Sequence, residues 1–207
     1  MSFEVNGVQV EDTFAEGFSM WGSRLIITAV TQKWANIAAT AMSGFATSVI
    51  ACDCEAAIEK EIPAEESPDG RPGTAVMVYG FSKGKLATSM LNRLGQCVLT
   101  CPSTAVFNGL PEKEADEMLD IGKSIRFFGD SYQVKMRMGD GWQDRKRFWR
   151  IPVMEGEFLI EEKIGAKKAV AGGNLLIMGE TEAVTLKASE DAIDAIQGKV
   201  WKKSVDA

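Results

Sequence analysis

The chain has 207 residues, of which 45% are hydrophobic and 25% are charged, a composition typical of a folded globular protein. Its formal net charge of −6, with scattered basic residues, argues against a nucleic-acid-binding protein, which normally carries a broad basic face. No apolar run reaches the ~20 residues that a membrane span needs, and the N-terminus lacks the pattern of a signal peptide. We therefore expect a cytoplasmic protein.

The chain contains no histidine. This excludes Ser-His-Asp and Cys-His catalytic groups and every metal site with a histidine ligand. The four cysteines form two pairs, Cys52/Cys54 and Cys97/Cys101, each in a stretch predicted to be a strand. We interpret them as buried, reduced thiols; the alternative is a four-thiolate zinc site, although their spacing departs from the usual Cys-x2-Cys. The sequence thus predicts no metal and no prosthetic group.

The first two-thirds of the chain predict a hairpin followed by a regular alternation of strands and helices. Asn6-Gly7 between alternating apolar residues is typical of a hairpin turn. Thr31 and Ser82 are predicted to cap two helices, and Gly44 and Gly95 to end them. The further predicted elements are strands at 24–30, 45–52, 74–79 and 97–101. The order β-α-β-β-α-β is that of a ferredoxin-like fold.

The pattern begins again after a charged connection at residues 108–147, in which Gly139-Asp140-Gly141 predicts a hairpin turn. Extended segments at 149–154 and 157–160 precede the glycines Gly172-Gly173 and a helix at 182–197, capped by Thr181 and ended by Gly198. We predict an α+β protein with two ferredoxin-like lobes, 1–148 and 149–207, the second incomplete. An incomplete lobe would expose an apolar helix face, so we expect either a shortened chain or a partner on that face.

The segment at residues 65–73 carries two prolines, two glycines and four charges, which is unusual for a plain connection. Proline fixes its own backbone angle and glycine permits angles that other residues avoid, so we predict a rigid loop. Asp69 and Arg71 would then point in fixed directions. They either orient polar parts of a substrate or form an internal salt bridge that closes the turn.

This loop, Ser67-Pro68-Asp69-Gly70-Arg71-Pro72-Gly73, resembles a motif of the formylmethanofuran:tetrahydromethanopterin formyltransferase family. Further resembling stretches follow in family order at 5–8, 11–16, 44–50, 95–100, 127–130, 152–158 and 171–174. The resemblance implies two ferredoxin-like lobes, a homodimer or homotetramer, and an active cleft near a subunit contact. It also implies transfer of a formyl group between two coenzymes in one-carbon metabolism, either methanogenesis or formaldehyde and methyl oxidation. The alternative is a shortened, non-catalytic homologue that serves as a scaffold or partner-binding subunit.

Formyl transfer between two amines passes through a tetrahedral centre with an oxyanion, so it needs hydrogen-bond donors and an acid for the leaving amine. We take Glu155 and Asp69 as the catalytic candidates, with Glu157 as the second acidic neighbour of Gly156. The substrate-binding candidates are Arg71, Gly172, Gly173 and Asn174. The competing interpretations are a solvated turn around Glu155 and a strand irregularity at the glycine pair. Cys97 as an acyl-carrying nucleophile would need a neighbouring cation or a helix terminus to form its thiolate.

Overall fold

The computed structural model describes residues 2–11, 17–47, 52–125, 132–137, 145–154, 156–171 and 177–203. Residues Phe18–Ala171 form one compact unit, and Met1–Gly17 with Gly172–Ala207 form a second. None of the helices in the described ranges is long and apolar enough to cross a membrane.

The predicted N-terminal hairpin is confirmed. Strand β1 (Ser2–Val5) pairs with β2 (Val8–Glu11) in antiparallel register. Asn6 and Gly7 form the turn with φ angles of 52° and 80°. Two positive φ angles in succession are characteristic of a type I′ turn, which the sequence Asn-Gly favours.

The predicted β-α-β-β-α-β order is also confirmed. Its elements are β3 (Phe18–Thr28), α1 (Gln32–Thr47), β4 (Glu55–Ile62), β5 (Gly73–Gly80), α2 (Lys83–Arg93) and β6 (Ala105–Asn108). The four strands lie in the order β4-β5-β3-β6, and each neighbouring pair is antiparallel. This is the strand order produced by two interleaved βαβ units, so the first part of the chain has the ferredoxin-like topology.

Two segments predicted to be strands are helical where the structure describes them. Helix α1 does not end at Gly44 but continues to Thr47. Residues 48–51 lie outside the described part of the chain, and the next described strand begins at Glu55. The stretch that contains Cys97 continues α2 as a π-helical turn, Leu94–Val98, instead of forming a strand. Leu94 and Val98 lie four residues apart and are both fully buried, so a helical turn places both in the core. The fourth strand follows at β6.

The later strands extend the same sheet. They are β7 (Glu117–Leu119), β8 (Tyr132–Arg137), β9 (Arg145–Val153), β10 (Gly156–Glu161) and β11 (Ile164–Ala171), with a short helix α3 (Ile121–Ile125) between β7 and β8. Strand β10 pairs in parallel with β6 and antiparallel with β9, and β11 pairs with β3 and β7. The predicted boundary between residues 148 and 149 falls inside β9, and the division into domains stays a prediction.

The two faces of the sheet carry separate cores. Leu25 and Ile27 of β3 belong to the main core, which also contains apolar residues of α1, α2 and α3. Ile26 points to the opposite face because neighbouring strand residues alternate. There it packs against a smaller cluster that includes Phe107 and Phe148, whose rings meet edge to face at 5.8 Å.

Helix α4 (Glu182–Lys203) belongs to the other unit. Thr181 caps it as predicted, since its Oγ1 accepts from the Val184 N–H at 3.3 Å. The helix does not stop at Gly198, as the sequence predicted, but runs through it. Its apolar residues Val184, Leu186 and Ile193 are each more than half exposed, so an exposed apolar helix surface was correctly expected.

Candidate functional site

The predicted rigid loop precedes strand β5 and carries Asp69 and Arg71. A short 3-10 turn at Ala64–Glu66 leads into it. Gly70 has a φ of 73°, a left-handed conformation that glycine adopts without strain. The Asp69 Oδ1 accepts from the backbone N–H of Arg71 at 3.2 Å. Asp69 therefore fixes the loop by bonding to the backbone two residues on, as turn aspartates commonly do.

The Arg71 side chain joins this loop to two other segments. Its Nε donates to Asp69 Oδ2 at 2.8 Å, and its Nη1 donates to the Ser103 carbonyl at 2.6 Å. Its Nη2 donates to Thr28 Oγ1 at 3.1 Å. Thr28, which is fully buried at the end of β3, donates in turn to Asp69 Oδ2 at 2.8 Å. The four residues form a closed polar network at one end of the sheet.

Asp69 and Arg71 thus lie together and form the internal ion pair that was one of the two interpretations of this loop. The Arg71 side chain still keeps 34% of its surface exposed. A guanidinium carries five N–H donors, more than the network uses. The polar network and a substrate contact are therefore compatible, and the catalytic and substrate-binding roles of the two residues stay predictions.

The other predicted site residues lie outside the described part of the chain. These are Glu155 and the segment Gly172-Gly173-Asn174, and their roles stay predictions. The neighbouring elements are described: β10 begins at Gly156, whose φ is 138°, and β11 ends at Ala171.

Glu157, the other acidic neighbour of Gly156, is an exposed and paired carboxylate. Its Oε1 accepts from the Tyr132 hydroxyl at 2.5 Å and its Oε2 from Arg150 Nη1 at 2.6 Å. These hydrogen bonds, that from Tyr132 first, lower the pKa of Glu157. A carboxyl whose charged form is favoured is a poor proton donor near neutral pH. Glu157 therefore does not fit the role of general acid, which would require a buried carboxyl with a raised pKa.

The cysteines are not placed in strands. Cys52 and Cys54 precede β4, and Cys97 lies in the π-helical turn. Burial raises the pKa of the Cys54 thiol to about 11 and also raises that of Cys97. These thiols remain protonated, which argues against a nucleophilic Cys97. Within the described ranges, no three cysteine, aspartate or glutamate side chains are arranged to hold a metal ion.

Two buried carboxylates were missed in the sequence. Glu161 is the last residue of β10 and Glu162 follows it, and their side chains are only 5% and 9% exposed. Glu161 pairs with Lys146 at 2.8 Å, and Trp149 Nε1 donates to Glu162 at 3.1 Å. Burial, the largest cause, raises the pKa of Glu161. The available signal was the position of the two glutamates, directly after the apolar residues of the extended segment predicted at 157–160.

Their surroundings form a cavity of about 250 Å³ lined only by charged side chains. It is lined by Glu112, Lys146, Arg147, Glu161, Glu162 and Lys163. Glu161 pairs there with Lys146, and Glu162 with Arg147. The cavity, with three acidic and three basic side chains, is thus charge-balanced and lies beside β9 and β10.

A buried arginine was also missed. Arg93, on the apolar side of α2, has a fully buried side chain and donates to Asp53 through Nη1 at 3.1 Å and Nη2 at 2.9 Å. Ser89 Oγ donates to the same carboxylate at 2.6 Å. Arg93 lies three and seven residues after the buried Met90 and Leu86, a spacing that places it on their face. That spacing was the available signal.

Comparison with known proteins identifies the family. The family model described as formylmethanofuran-tetrahydromethanopterin formyltransferase matches residues 3–153, and the model of its proximal lobe matches residues 156–202. The chain belongs to this formyltransferase family. The two adjoining matches agree with the predicted pair of lobes.

Curated members of the family resemble the chain over most of its length. The formylmethanofuran–tetrahydromethanopterin formyltransferase of Methanocaldococcus jannaschii is 52% identical over 193 residues, which is 93% of this chain and 62% of that protein. The Methylobacillus flagellatus formyltransferase is 50% identical over the same shares. One subunit of the formyltransferase/hydrolase complex of Methylorubrum extorquens is 49% identical over 93% of this chain and 61% of its own length. The chain thus spans about 62% of the length of these relatives.

Solved structures of the family share the fold. The formyltransferase/hydrolase complex from Methylorubrum extorquens, determined with methylofuran, contains a chain that superposes with a TM-score of 0.87 at 46% identity. That match covers 94% of this chain and 63% of the other. The formyltransferase of Methanosarcina barkeri gives a TM-score of 0.81 at 45% identity and covers 93% and 62% of the two chains. The α+β fold is therefore that of the family.

Proposed function

We propose that the protein represented by this chain transfers a formyl group from formylmethanofuran to tetrahydromethanopterin. The observation that carries the proposal is the identity of 44–52% to eight family members, seven of them named as this formyltransferase, along at least 93% of the chain. One-carbon metabolism is the setting, in methanogenesis or in formaldehyde and methyl oxidation. Both coenzymes act as substrates, and no prosthetic group is needed for acyl transfer between two nitrogens.

The reaction requires an acid, oxyanion donors and a surface that holds two large substrates together. In this proposal Glu155 protonates the leaving amine, and Asp69 is the second catalytic candidate. Backbone N–H groups at Gly172, Gly173 and Asn174 bind the formyl oxygen, since glycine permits close approach. Arg71 contacts an anionic or polar part of a coenzyme from the exposed edge of its network with Asp69.

We further propose a cytoplasmic homodimer or homotetramer without nucleic-acid or membrane partners. A heteromeric assembly is the main alternative, because one relative is a subunit of a formyltransferase/hydrolase complex. The exposed Val184, Leu186 and Ile193 on α4 favour a protein contact in either case. They also support a second candidate function, a non-catalytic subunit that binds a partner through this helix.

The test is formyl transfer by the purified 207-residue chain with both coenzymes, after circular dichroism has established that the chain is folded. Turnover would require every essential group to lie within residues 1–207 and would support the proposal. A folded chain without turnover would favour the partner-binding function. In that case the chain should bind a full-length family member, and Leu186→Glu should weaken the binding.

A further inference from the structure

Ser103, in the turn before strand β6, has a backbone conformation that its residue type does not favour. Its φ is 63°, in the left-handed region. Among the described residues other than glycine, it shares a positive φ only with Asn6, where the hairpin turn requires one. Serine carries a Cβ atom, which makes the left-handed conformation unfavourable. Such a residue persists only where its surroundings hold it, and residues of this kind cluster at functional sites.

Contacts on both sides hold the Ser103 backbone in place. Its Oγ accepts from the Val30 N–H, just beyond the end of β3, at 3.2 Å. The next residue, Thr104, is buried, and its Oγ1 donates to the carbonyls of Val98 at 2.7 Å and Cys101 at 3.0 Å. Strand β6 begins directly afterwards. The turn is therefore fixed on both sides of Ser103, and its neighbours do not move to relieve the strain.

The left-handed conformation determines where the Ser103 carbonyl points. Its oxygen accepts from Arg71 Nη1 at 2.6 Å, the shortest of the three hydrogen bonds that the Arg71 side chain donates within the described part of the chain. A change of φ to the ordinary negative range would rotate this carbonyl about the N–Cα bond and away from the guanidinium. The strain at Ser103 thus maintains one specific contact with Arg71.

The Arg71 guanidinium is in this way held at all three of its nitrogens. The acceptors are Asp69 Oδ2, the Ser103 carbonyl and Thr28 Oγ1. These bonds use three of the five N–H donors of a guanidinium and leave one N–H on each Nη for a further acceptor. Because the planar group is fixed and 34% of the side chain is exposed, these two donors have a set direction. Such a fork suits two-point binding of a carboxylate or phosphate group.

We propose that Ser103 is a positioning residue for formyl transfer. Its left-handed backbone fixes the direction of the Arg71 guanidinium, and Ser103 itself does not touch the substrate. The inference rests on the proposed function, in which Arg71 contacts a coenzyme. A donor that is oriented before the substrate binds need not be reorganised during the reaction. Loss of the Ser103 conformation should therefore lower the rate of transfer although every side chain that contacts substrate is still present.

Two variants of Ser103 separate its backbone conformation from its hydroxyl group. Ser103→Val and Ser103→Gly both remove the hydroxyl, but a β-branched residue disfavours a positive φ and glycine accepts it. Ser103→Val should lower kcat/KM for formyl transfer about 10–100-fold, the usual effect of a misplaced substrate contact, and Ser103→Gly should stay close to the wild type. Ser124→Val, at an exposed position in helix α3, is the matched control and should transfer normally.

Each variant is first shown to be folded by circular dichroism. If Ser103→Val does not fold, Ser103→Ala takes its place, since alanine lacks the hydroxyl but keeps the Cβ atom that disfavours a positive φ. Equal kcat/KM for the folded Ser103→Gly variant and its Cβ-bearing counterpart would overturn the inference.

A double variant tests whether Ser103 acts through Arg71. In the Arg71→Ala background, Ser103→Val should cause no further loss of kcat/KM, because the group that Ser103 positions is already absent. A general loss of stability would instead lower transfer in both backgrounds. An undiminished effect of Ser103→Val in the Arg71→Ala background would overturn the inference, as would normal transfer by Arg71→Ala alone.

NMR of the Arg71 guanidinium nitrogens distinguishes failure of the inference from failure of the proposed function, because it needs no turnover. Rotation about the Nε–Cζ bond exchanges Nη1 and Nη2, and separate acceptors on the two should slow it. We expect slow rotation in the wild type and Ser103→Gly and faster rotation in Ser103→Val. This result in a chain without transfer activity would keep the orienting contact and reject formyl transfer. Transfer by the wild type, with equal rotation rates in all three, would keep the function and reject the inference.

Discussion

The backbone N–H of Asn108 donates to Oε2 of the buried Glu161 at 2.9 Å. This hydrogen bond crosses from β6 to β10, the strands that pair in parallel and join the first βαββαβ segment to the later strands. Asn108 Oδ1 also accepts from the Gly165 N–H at 3.0 Å. Polar groups, and not apolar packing alone, therefore link the two parts of the sheet.

The buried Glu161 should make stability depend on pH. Burial raises its pKa above the ordinary 4.5, so the folded state binds the Glu161 proton more tightly than the unfolded state. This contribution to stability is complete below about pH 4.5 and is lost as the pH rises through the folded pKa. The free energy of unfolding of the wild type, minus that of Glu161→Gln, should therefore fall as the pH rises, as measured by urea unfolding at a series of pH values.

Glu157→Gln is a control with the opposite sign. Hydrogen bonds from Tyr132 and Arg150 lower the pKa of Glu157, so its contribution is present at higher pH and is lost as the pH falls. The free energy of unfolding of the wild type, minus that of Glu157→Gln, should therefore rise with pH. Parallel curves for the two variants would contradict the assignment of a burial effect at Glu161.

Removal of the Asp53 carboxylate should destabilise the protein strongly. Asp53→Ala would remove the carboxylate that accepts from both Nη atoms of the buried Arg93, and removal of one partner of such an ion pair typically costs about 3 kcal/mol or more. The double variant Asp53→Ala, Arg93→Met should recover most of this loss, because it also removes the buried charge. Glu117→Ala, which breaks the exposed pair with Lys83, should change the free energy of unfolding by less than about 1 kcal/mol. Equal losses in the single and double variants would show that the buried charge is not the cause.

Arg71→Ala should lower the free energy of unfolding by about 1–3 kcal/mol, because the buried Thr28 and the Ser103 carbonyl both lose a donor. Lys187→Ala, which removes an exposed pair with Asp191, is the control. Under conditions where Arg71→Ala is fully folded, a loss of formyl transfer would indicate a substrate contact. Normal transfer by the folded variant would leave Arg71 a purely structural role.

Gly122→Ala should prevent normal packing of α3. A Cβ atom at this position would lie 2.3 Å from the Glu161 carbonyl oxygen, a backbone atom that cannot turn aside. Gly84→Ala is the matched control, since its Cβ would meet nothing within 4 Å and alanine favours the helix by about 0.5–1 kcal/mol. The midpoint temperature of thermal unfolding should therefore be lower than that of the wild type for Gly122→Ala and higher for Gly84→Ala. A Gly122→Ala variant as stable as the wild type would contradict the tight contact between α3 and β10.

Local sequence patterns predicted the fold where one signal dominated. Asn6-Gly7 determined the hairpin turn, and Thr31 and Ser82 marked the starts of helices. The predictions failed where glycine was taken as a stop. Gly44, Gly95 and Gly198 all lie inside helical segments. At Gly95, the burial of Leu94 and Val98 outweighs the cost of one glycine in a helix.

The sequence predicted only those contacts of the candidate site that join residues close together in the chain. Asp69 and Arg71 are two residues apart, so their ion pair could be read from the turn sequence. Asp53 and Arg93 are 40 residues apart and meet only through the packing of α2 on the sheet. Glu161 and Asn108 are likewise joined by strand pairing over 53 residues. A single sequence contains no direct signal for such pairs.

Strand β3 has a consequence for how the protein is made. Its end pairs with β6 through Leu25–Thr28, and its start pairs with β11 through Phe18–Gly22, on the same edge. A ribosome must therefore synthesise the chain as far as Ala171 before the early part of that edge finds its partner. Until then the nascent chain exposes unpaired backbone groups on a strand it has already made, and that interval is when chaperones would matter most for this protein.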